Sequence, residues 1–223
     1  MTRPAAFAAV LLAALSVAAT SAADPVRPAQ DPTPQYQYPP VRSQSPDDLA
    51  VQAIHNYGAC VVAQTPQGAR AALALDFRTA EYRNKIRAVA EGHVDRCDAA
   101  WWRLKFNPTL FAGAMAEALL KTDVGAPQLP QRLAYDPARQ EIVARSPLEG
   151  MALCTAVRAP DATAALFATD PGSAEESRAI QTLQPMLEDC LKKGAKAALN
   201  KPAVRSLLAL AAYRLVSTPR KSA

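Results

Sequence analysis

Residues 57–76 read YGACVVAQTPQGARAALALD, and residues 151–170 read MALCTAVRAPDATAALFATD. The offset is 151 − 57 = 94 positions, and Cys, Pro, Ala, Ala and Asp fall in register. In each stretch an apolar run carrying Cys60 or Cys154 stops before Pro66 or Pro160. A proline there suits the first turn of a new helix, because the amide it lacks has no helical partner anyway. The pair of stretches therefore reads as helix, proline break, helix, written twice.

Working outward, each copy predicts four helices. The first carries Ile54, Tyr57 and Val61, or Leu148, Met151 and Ala152. The second carries Ala72, Leu73 and Leu75, or Leu166 and Phe167. The third begins after Thr79 or Ser173 and carries Ile86, Val89 and Val94, or Ile180, Leu183 and Leu187. Ser173 with Glu176 fits a capping box. The fourth opens at Asn107-Pro108 or Asn200-Lys201-Pro202, an N-cap followed by a first-turn proline. Its apolar residues are Leu110, Phe111, Met115 and Leu119, or Val204, Leu207, Leu208 and Tyr213. Steps of three and four residues dominate, and no period of two persists; a short extended piece at 103–106 is the exception allowed. The expectation is an all-α fold of two tandem four-helix modules, residues 46–121 and 147–218, joined by a Pro- and Gln-rich linker at 122–146 and followed by a basic tail at 219–223.

The N-terminus predicts export. Arg3 precedes an Ala-rich apolar run at 5–19, and Ser21-Ala22-Ala23 supplies small residues for cleavage before Asp24. That is the pattern of a signal peptide over 1–23. The run is shorter than the roughly 20 residues a membrane span needs, so no span is expected after cleavage. Residues 24–45 hold six prolines and no helical period, which reads as an extended tether. The formal charge falls from +5 to 24 − 20 = +4 on removal of Arg3. That value gives only a mild preference for acidic partners and excludes nothing further.

Four cysteines in an exported chain predict disulfides. Cys60 and Cys97 are 37 apart, and Cys154 and Cys190 are 36 apart, at matching places in the two copies. If each module staples itself, the pairs are Cys60–Cys97 and Cys154–Cys190; the rival pairing joins one copy to the other. On a loop-entropy estimate each closure is worth about 4 kcal/mol, which matters for Ala-rich modules of this size.

The stretches "ALCTAVRAPDATAALFATDPGSAEESRAI" (152–180) and "LNKPAVRSLLALAAYRL" (199–215), with "FNPTLFAGAMAEALL" (106–120) in the first copy, carry a resemblance. The chain resembles uncharacterised exported bacterial helical proteins with a duplicated cysteine-containing module, over most of 46–218. The resemblance implies an exported helical fold and brings no activity with it.

Motifs for chemistry are sparse. His55 and His93 have no counterparts in the second copy, and His93 and Asp95 lie two apart, which does not bring them face to face on a helix. Nucleophile-elbow, zincin and phosphate-loop patterns are missing from the sequence. The cysteine spacing is wrong for structural zinc. Adjacent acids at Asp47-Asp48, Glu175-Glu176 and Glu188-Asp189 diverge by about 100° on a helix. No catalytic residue, metal ligand or cofactor is assigned. The two copies differ most at 101–106, where Trp101, Trp102, Arg103 and Lys105 interleave aromatic and basic groups. Such a stretch grips a peptide, glycan or head group, or else its rings cover the core or the face between modules. The second copy has Lys192, Lys193, Lys196, Lys201 and Arg205, a run that reads as a solvated basic face or a contact for an anionic surface.

The function expected is a non-catalytic envelope protein, periplasmic or extracellular, that binds another envelope protein or an anionic envelope component. An envelope chaperone and an enzyme with a site between the modules are the alternatives. Nucleic acid is not an expected partner at this charge.

Overall fold

Helix starts in this chain are written by its capping residues. Thr79 Oγ1 accepts from the Tyr82 amide at 3.1 Å, and Ser173 Oγ from the Glu176 amide at 3.0 Å. Asn107 Oδ1 accepts from the Thr109 amide at 2.8 Å, and Asn200 Oδ1 from the Ala203 amide at 3.1 Å. Each such cap is worth about 1 kcal/mol. In the computed structural model these caps open helices where the sequence predicts them. The structure describes residues 46–97, 107–191 and 199–221. The signal peptide expected at 1–23, the tether expected at 24–45, the extended piece expected at 103–106 and Lys192, Lys193 and Lys196 lie outside the described residues.

Among the described residues the fold is all-α. The elements are α1 (Pro46–Gln64), α2 (Pro66–Ala74), α3 (Ala80–Glu91), α4 (Pro108–Asp123), α5 (Leu129–Leu133), α6 (Pro147–Arg158), α7 (Pro160–Phe167), α8 (Ala174–Cys190) and α9 (Lys201–Ser217). The order of α1 to α4 recurs in α6 to α9. Cys60 on α1 is joined to Cys97 after α3, and Cys154 on α6 to Cys190 at the end of α8. Both bridges span 5.7 Å between Cα atoms.

Two apolar cores form. Ile54, Tyr57, Val61, Ile86, Phe111 and Met115 fill the first; Leu120, Leu133, Leu166, Leu183, Leu208 and Leu215 fill the second. They are not independent. The helix α4 gives Met115 and Leu119 to one and Ala116 and Leu120 to the other. It is apolar nearly all round, as a helix buried on every side must be. Its closest crossing is with α9. Gly113 and Ser206 are each the sixth residue after their capping Asn, and a Cβ on Gly113 would stand 2.5 Å from Ser206 Cβ. Glycine is required there so the two backbones can meet. A second tie runs from α1 to the turn before α8. Gly172, at φ +75°, brings its backbone so near Asp48 that a Cβ would lie 2.9 Å from the Asp48 carbonyl oxygen. Both halves belong to one compact unit, Val41–Ala223.

Three sequence expectations need correction or addition. The segment 122–146 is more than a connector: Ala126–Gln128 forms a 3-10 turn and α5 follows, with Leu129 and Leu133 buried in the second core. Val94, expected on the third helix, lies beyond the end of α3, which Gly92 caps. The capping box at α8 is shifted by one residue: Glu176 Oε2 accepts from the Gly172 amide at 2.7 Å rather than from Ser173.

Candidate functional site

The densest gathering of charge sits where the two halves meet, on a residue expected at the surface. Arg205, read with the lysines around it as part of a basic face, is turned fully inward on α9, at 0 % exposure. The periodicity explains it. Val204, Leu208, Ala211, Ala212 and Leu215 define the buried side of α9, and Arg205 falls within that arc. All five guanidinium N–H groups are used. Nε and Nη2 donate to the two carboxylate oxygens of Glu117 at 2.8 and 2.7 Å. Nη2 also donates to the Thr169 carbonyl at 2.8 Å. Nη1 donates to Thr169 Oγ1 and to Glu176 Oε1, both at 3.1 Å. A guanidinium has five donors and no acceptor, so this arrangement satisfies it completely.

The anions are equally occupied. Glu117, on α4, accepts from Lys121 Nζ at 2.8 Å, and its Oε2 is 3.6 Å from His55 Nδ1 on α1. Glu117 and Glu176 are each 2 % exposed. Counting Arg205 and Lys121 against Glu117 and Glu176 gives 2 − 2 = 0. Burial raises the Glu117 carboxyl, but the Arg205 hydrogen bonds and charge, helped by His55 and Lys121, outweigh it and hold it below its usual range. Burial pushes His55 down to about 4 against the opposing pull of Glu117, with Arg205 and Lys121 adding to the fall. The imidazole is therefore neutral at neutral pH, and its approach to Glu117 is not an ion pair there. A general base must reach a substrate proton. These groups reach one another instead, across α1, α4, α8 and α9. Thr169 Oγ1, the nearest hydroxyl, is spent as well, donating to the Leu166 carbonyl at 2.7 Å while accepting from Arg205. This cluster is a tie between the halves.

The concave surface lies elsewhere, over the second core. A cavity of about 480 Å³ is lined by the 135–142 segment, by Leu153 and Val157 of α6, by Leu215 of α9 and by Lys221. A second cavity, of about 400 Å³, shares Asp136, Arg139 and Leu215 with it and reaches Arg132 and Arg220. The local fold follows from a few bonds. Leu129 and Leu133 anchor α5, which leaves Arg132 on the outside to donate to the Val216 carbonyl at the end of α9, at 3.2 Å. A cation suits that helix terminus. Asp136 then turns the chain, its Oδ1 accepting from the Ala138 amide at 2.9 Å. The C-terminal segment, expected as a basic tail, runs antiparallel to this turn. The Gln140 amide donates to the Pro219 carbonyl at 3.1 Å, and the Lys221 amide to the Ala138 carbonyl at 2.7 Å. Arg220 Nε donates to Asp136 Oδ2 at 3.0 Å. The Ala138 amide first, and then Arg220, hold the Asp136 carboxyl low.

Of the binding residues expected from sequence, Trp101, Trp102, Arg103 and Lys105 lie outside the described residues. The four cysteines form the two bridges, and Cys154 also borders the larger cavity. Lys201 is on the surface, with Nζ 2.9 Å from Ser177 Oγ. Among the described residues no group of three or more His, Cys, Asp or Glu gathers into a metal site, and no helix is long and apolar enough to cross a membrane. Sequence reasoning missed Glu117, Arg205 and Arg139. For the first two a signal existed: a single acid inside LFAGAMAEALL and a single base inside PAVRSLLALAAY, opposite charges within two otherwise uncharged helical stretches. Comparison with known proteins finds no matching family model, curated protein or solved structure.

Proposed function

We propose that this chain is an exported, non-catalytic binding module that uses its surface, with the interior charge serving the fold. One observation carries the reading. Among the described residues, acids, a base and a histidine converge at one place, buried except for Lys121 and with every Arg205 donor spent on internal hydrogen bonds, while the open concavity has a mixed rim of Arg139, Lys221, Asp136 and Glu141 over an apolar floor. Two disulfides support an oxidising compartment, since such bonds rarely persist in the cytosol. The signal-like N-terminus supports the same placement. The repeated helix order supports two copies of one module. The partner is another envelope protein or an anionic envelope component, in keeping with the mature charge of 24 − 20 = +4.

The test is photo-crosslinking in the exporting cell. A photoreactive residue replaces Tyr135, which is 78 % exposed beside the groove, and in a second protein replaces Trp102. Mature protein recovered outside the cytoplasm with a discrete adduct at either position supports the reading. Exported, folded protein without an adduct at both positions overturns it.

A further inference from the structure

We propose that the Cys154–Cys190 bond is a thiol-exchange site, opened by a dithiol that attacks Cys154 from the groove, while Cys60–Cys97 stays closed. Exchange here goes beyond the binding-module reading and is independent of what else the groove takes.

The two bridges are seated differently. Cys97 is 7 % exposed and belongs to the first core, and Cys60 packs against that core. Cys154 and Cys190 are both half-buried, and neither belongs to the second core or packs against it. Exposed disulfides are the labile ones, because a thiolate must reach a sulfur before exchange can begin. The cavity of about 480 Å³ supplies the route. Its lining includes Cys154 and not Cys190. Arg139, whose Nη2 donates to the Arg132 and Ala134 carbonyls at 2.7 and 3.2 Å, fixes the facing wall. A thiolate seated there meets Cys154, with Cys190 as the leaving group.

What holds each bridge shut differs as well. In the first half the Tyr57 hydroxyl donates to the Ala90 carbonyl, a buried bond that ties α1 to α3 beside the cystine. The matching position, 57 + 94 = 151, is Met151, which has no hydroxyl. Among the described residues no hydrogen bond joins α6 to α8. Pro185 interrupts the ladder of α8 just past Leu183, its last fully buried residue. Beyond that point Met186 and Leu187 are only half-buried. Fraying of the final turn of α8 therefore breaks no hydrogen bond to α6 and uncovers little core. The second bridge can open by local motion, and the first cannot without disturbing its core.

The exchange balances with a dithiol as reductant. Its first thiolate bonds to Cys154 Sγ, the Cys154–Cys190 bond breaks, and Cys190 leaves as a thiolate that takes up a proton. The second thiolate of the reductant then attacks the reductant's own sulfur in the mixed disulfide and releases Cys154, which is protonated in turn. Two electrons pass to the chain, which gains two thiols, and the dithiol ends as a disulfide.

The test uses the oxidised full chain at pH 7, treated with dithiothreitol or with reduced thioredoxin as a protein dithiol. Aliquots are quenched in acid, free thiols are alkylated, and the peptides are mapped by mass spectrometry. Cys154 and Cys190 should be labelled at least about 10-fold faster than Cys60 and Cys97, and the difference should vanish in guanidinium. Tyr57→Phe should speed labelling of Cys60 and Cys97 by about 5-fold, the equivalent of one hydrogen bond. Thioredoxin lacking its second cysteine should be trapped on Cys154. Such trapping supports a protein dithiol as the source; selective reduction by dithiothreitol alone supports a small one. Equal labelling of the two bridges in the folded chain, or faster labelling of the first, overturns the proposal. A trapped adduct on Cys190 overturns the route through the groove. None of these outcomes bears on the adduct at position 135, so the binding-module reading stands or falls separately.

Discussion

Replacing Arg205 with methionine keeps much of its volume and removes its charge. Glu117 and Glu176, each 2 % exposed, would then lose the guanidinium that accepts no water in exchange. Glu117 retains Lys121, which is half-exposed, and a neutral His55. Among the described residues Glu176 retains only the Gly172 amide. Breaking a buried pair by removing one member typically costs about 3–5 kcal/mol, because an uncompensated charge stays behind. At about 2–4 °C per kcal/mol for a chain of this size, the midpoint should fall by roughly 6–20 °C. Urea unfolding at pH 7 with disulfides intact, alongside a thermal scan, measures it. The companion protein carries Arg205→Met, Glu117→Leu and Glu176→Leu together. Replacing a whole buried ion cluster by apolar groups is often neutral or stabilising, so this protein should recover most of the loss. A single substitution costing under about 1 kcal/mol, or a triple no more stable than the single, would refute the reasoning that the cluster is a saturated internal tie.

Other outcomes follow from the same structure. Because the His55 value folded, about 4, is below its unfolded 6.5, the unfolded chain binds the extra proton. Stability should therefore be unaffected well above pH 6.5 and decline as pH falls from 6.5 to about 4, by about 3 kcal/mol at most; in His55→Gln that slope should vanish, and Glu117 should add its own loss only below about 4.5. Replacing either cysteine pair by serine should cost about 4 kcal/mol, from loops spanning 37 and 36 residues; chemical denaturation of each double variant reads it. Gly113→Ala would ordinarily gain about 1 kcal/mol in a helix, but its Cβ meets Ser206 at 2.5 Å, so a net loss of about 1–3 kcal/mol is expected in the same assay.

Helix positions were legible because local chemistry writes them. Thr79, Ser173, Asn107 and Asn200 cap where they were expected to, and the prolines at 66 and 160 open helices. The cystine pairs were legible once the stretches 57–76 and 151–170 were placed in register. Tertiary facts were harder. A charge run such as the one around Arg205 looks solvated in one dimension, and only the phase of α9 turns that side chain inward. The partner that makes burial tolerable, Glu117, is 205 − 117 = 88 residues away. The groove was illegible for a related reason. It depends on α5, a five-residue helix too short to show a period, and on the terminal residues 219–221 folding back on the Asp136 turn. Both segments read in sequence as connector and tail.

The claim at the centre of this account is that interior charge holds the fold and the groove does the binding. Two proteins separate these roles: the apolar triple replacement of Arg205, Glu117 and Glu176, and the single Arg139→Gln. Each carries the photoreactive residue at position 135 and is crosslinked in the exporting cell. The account predicts that the triple replacement keeps the adduct and Arg139→Gln loses it. A folded triple replacement without the adduct, beside an Arg139→Gln protein that retains it, would contradict the account and return the buried cluster to the role of functional site.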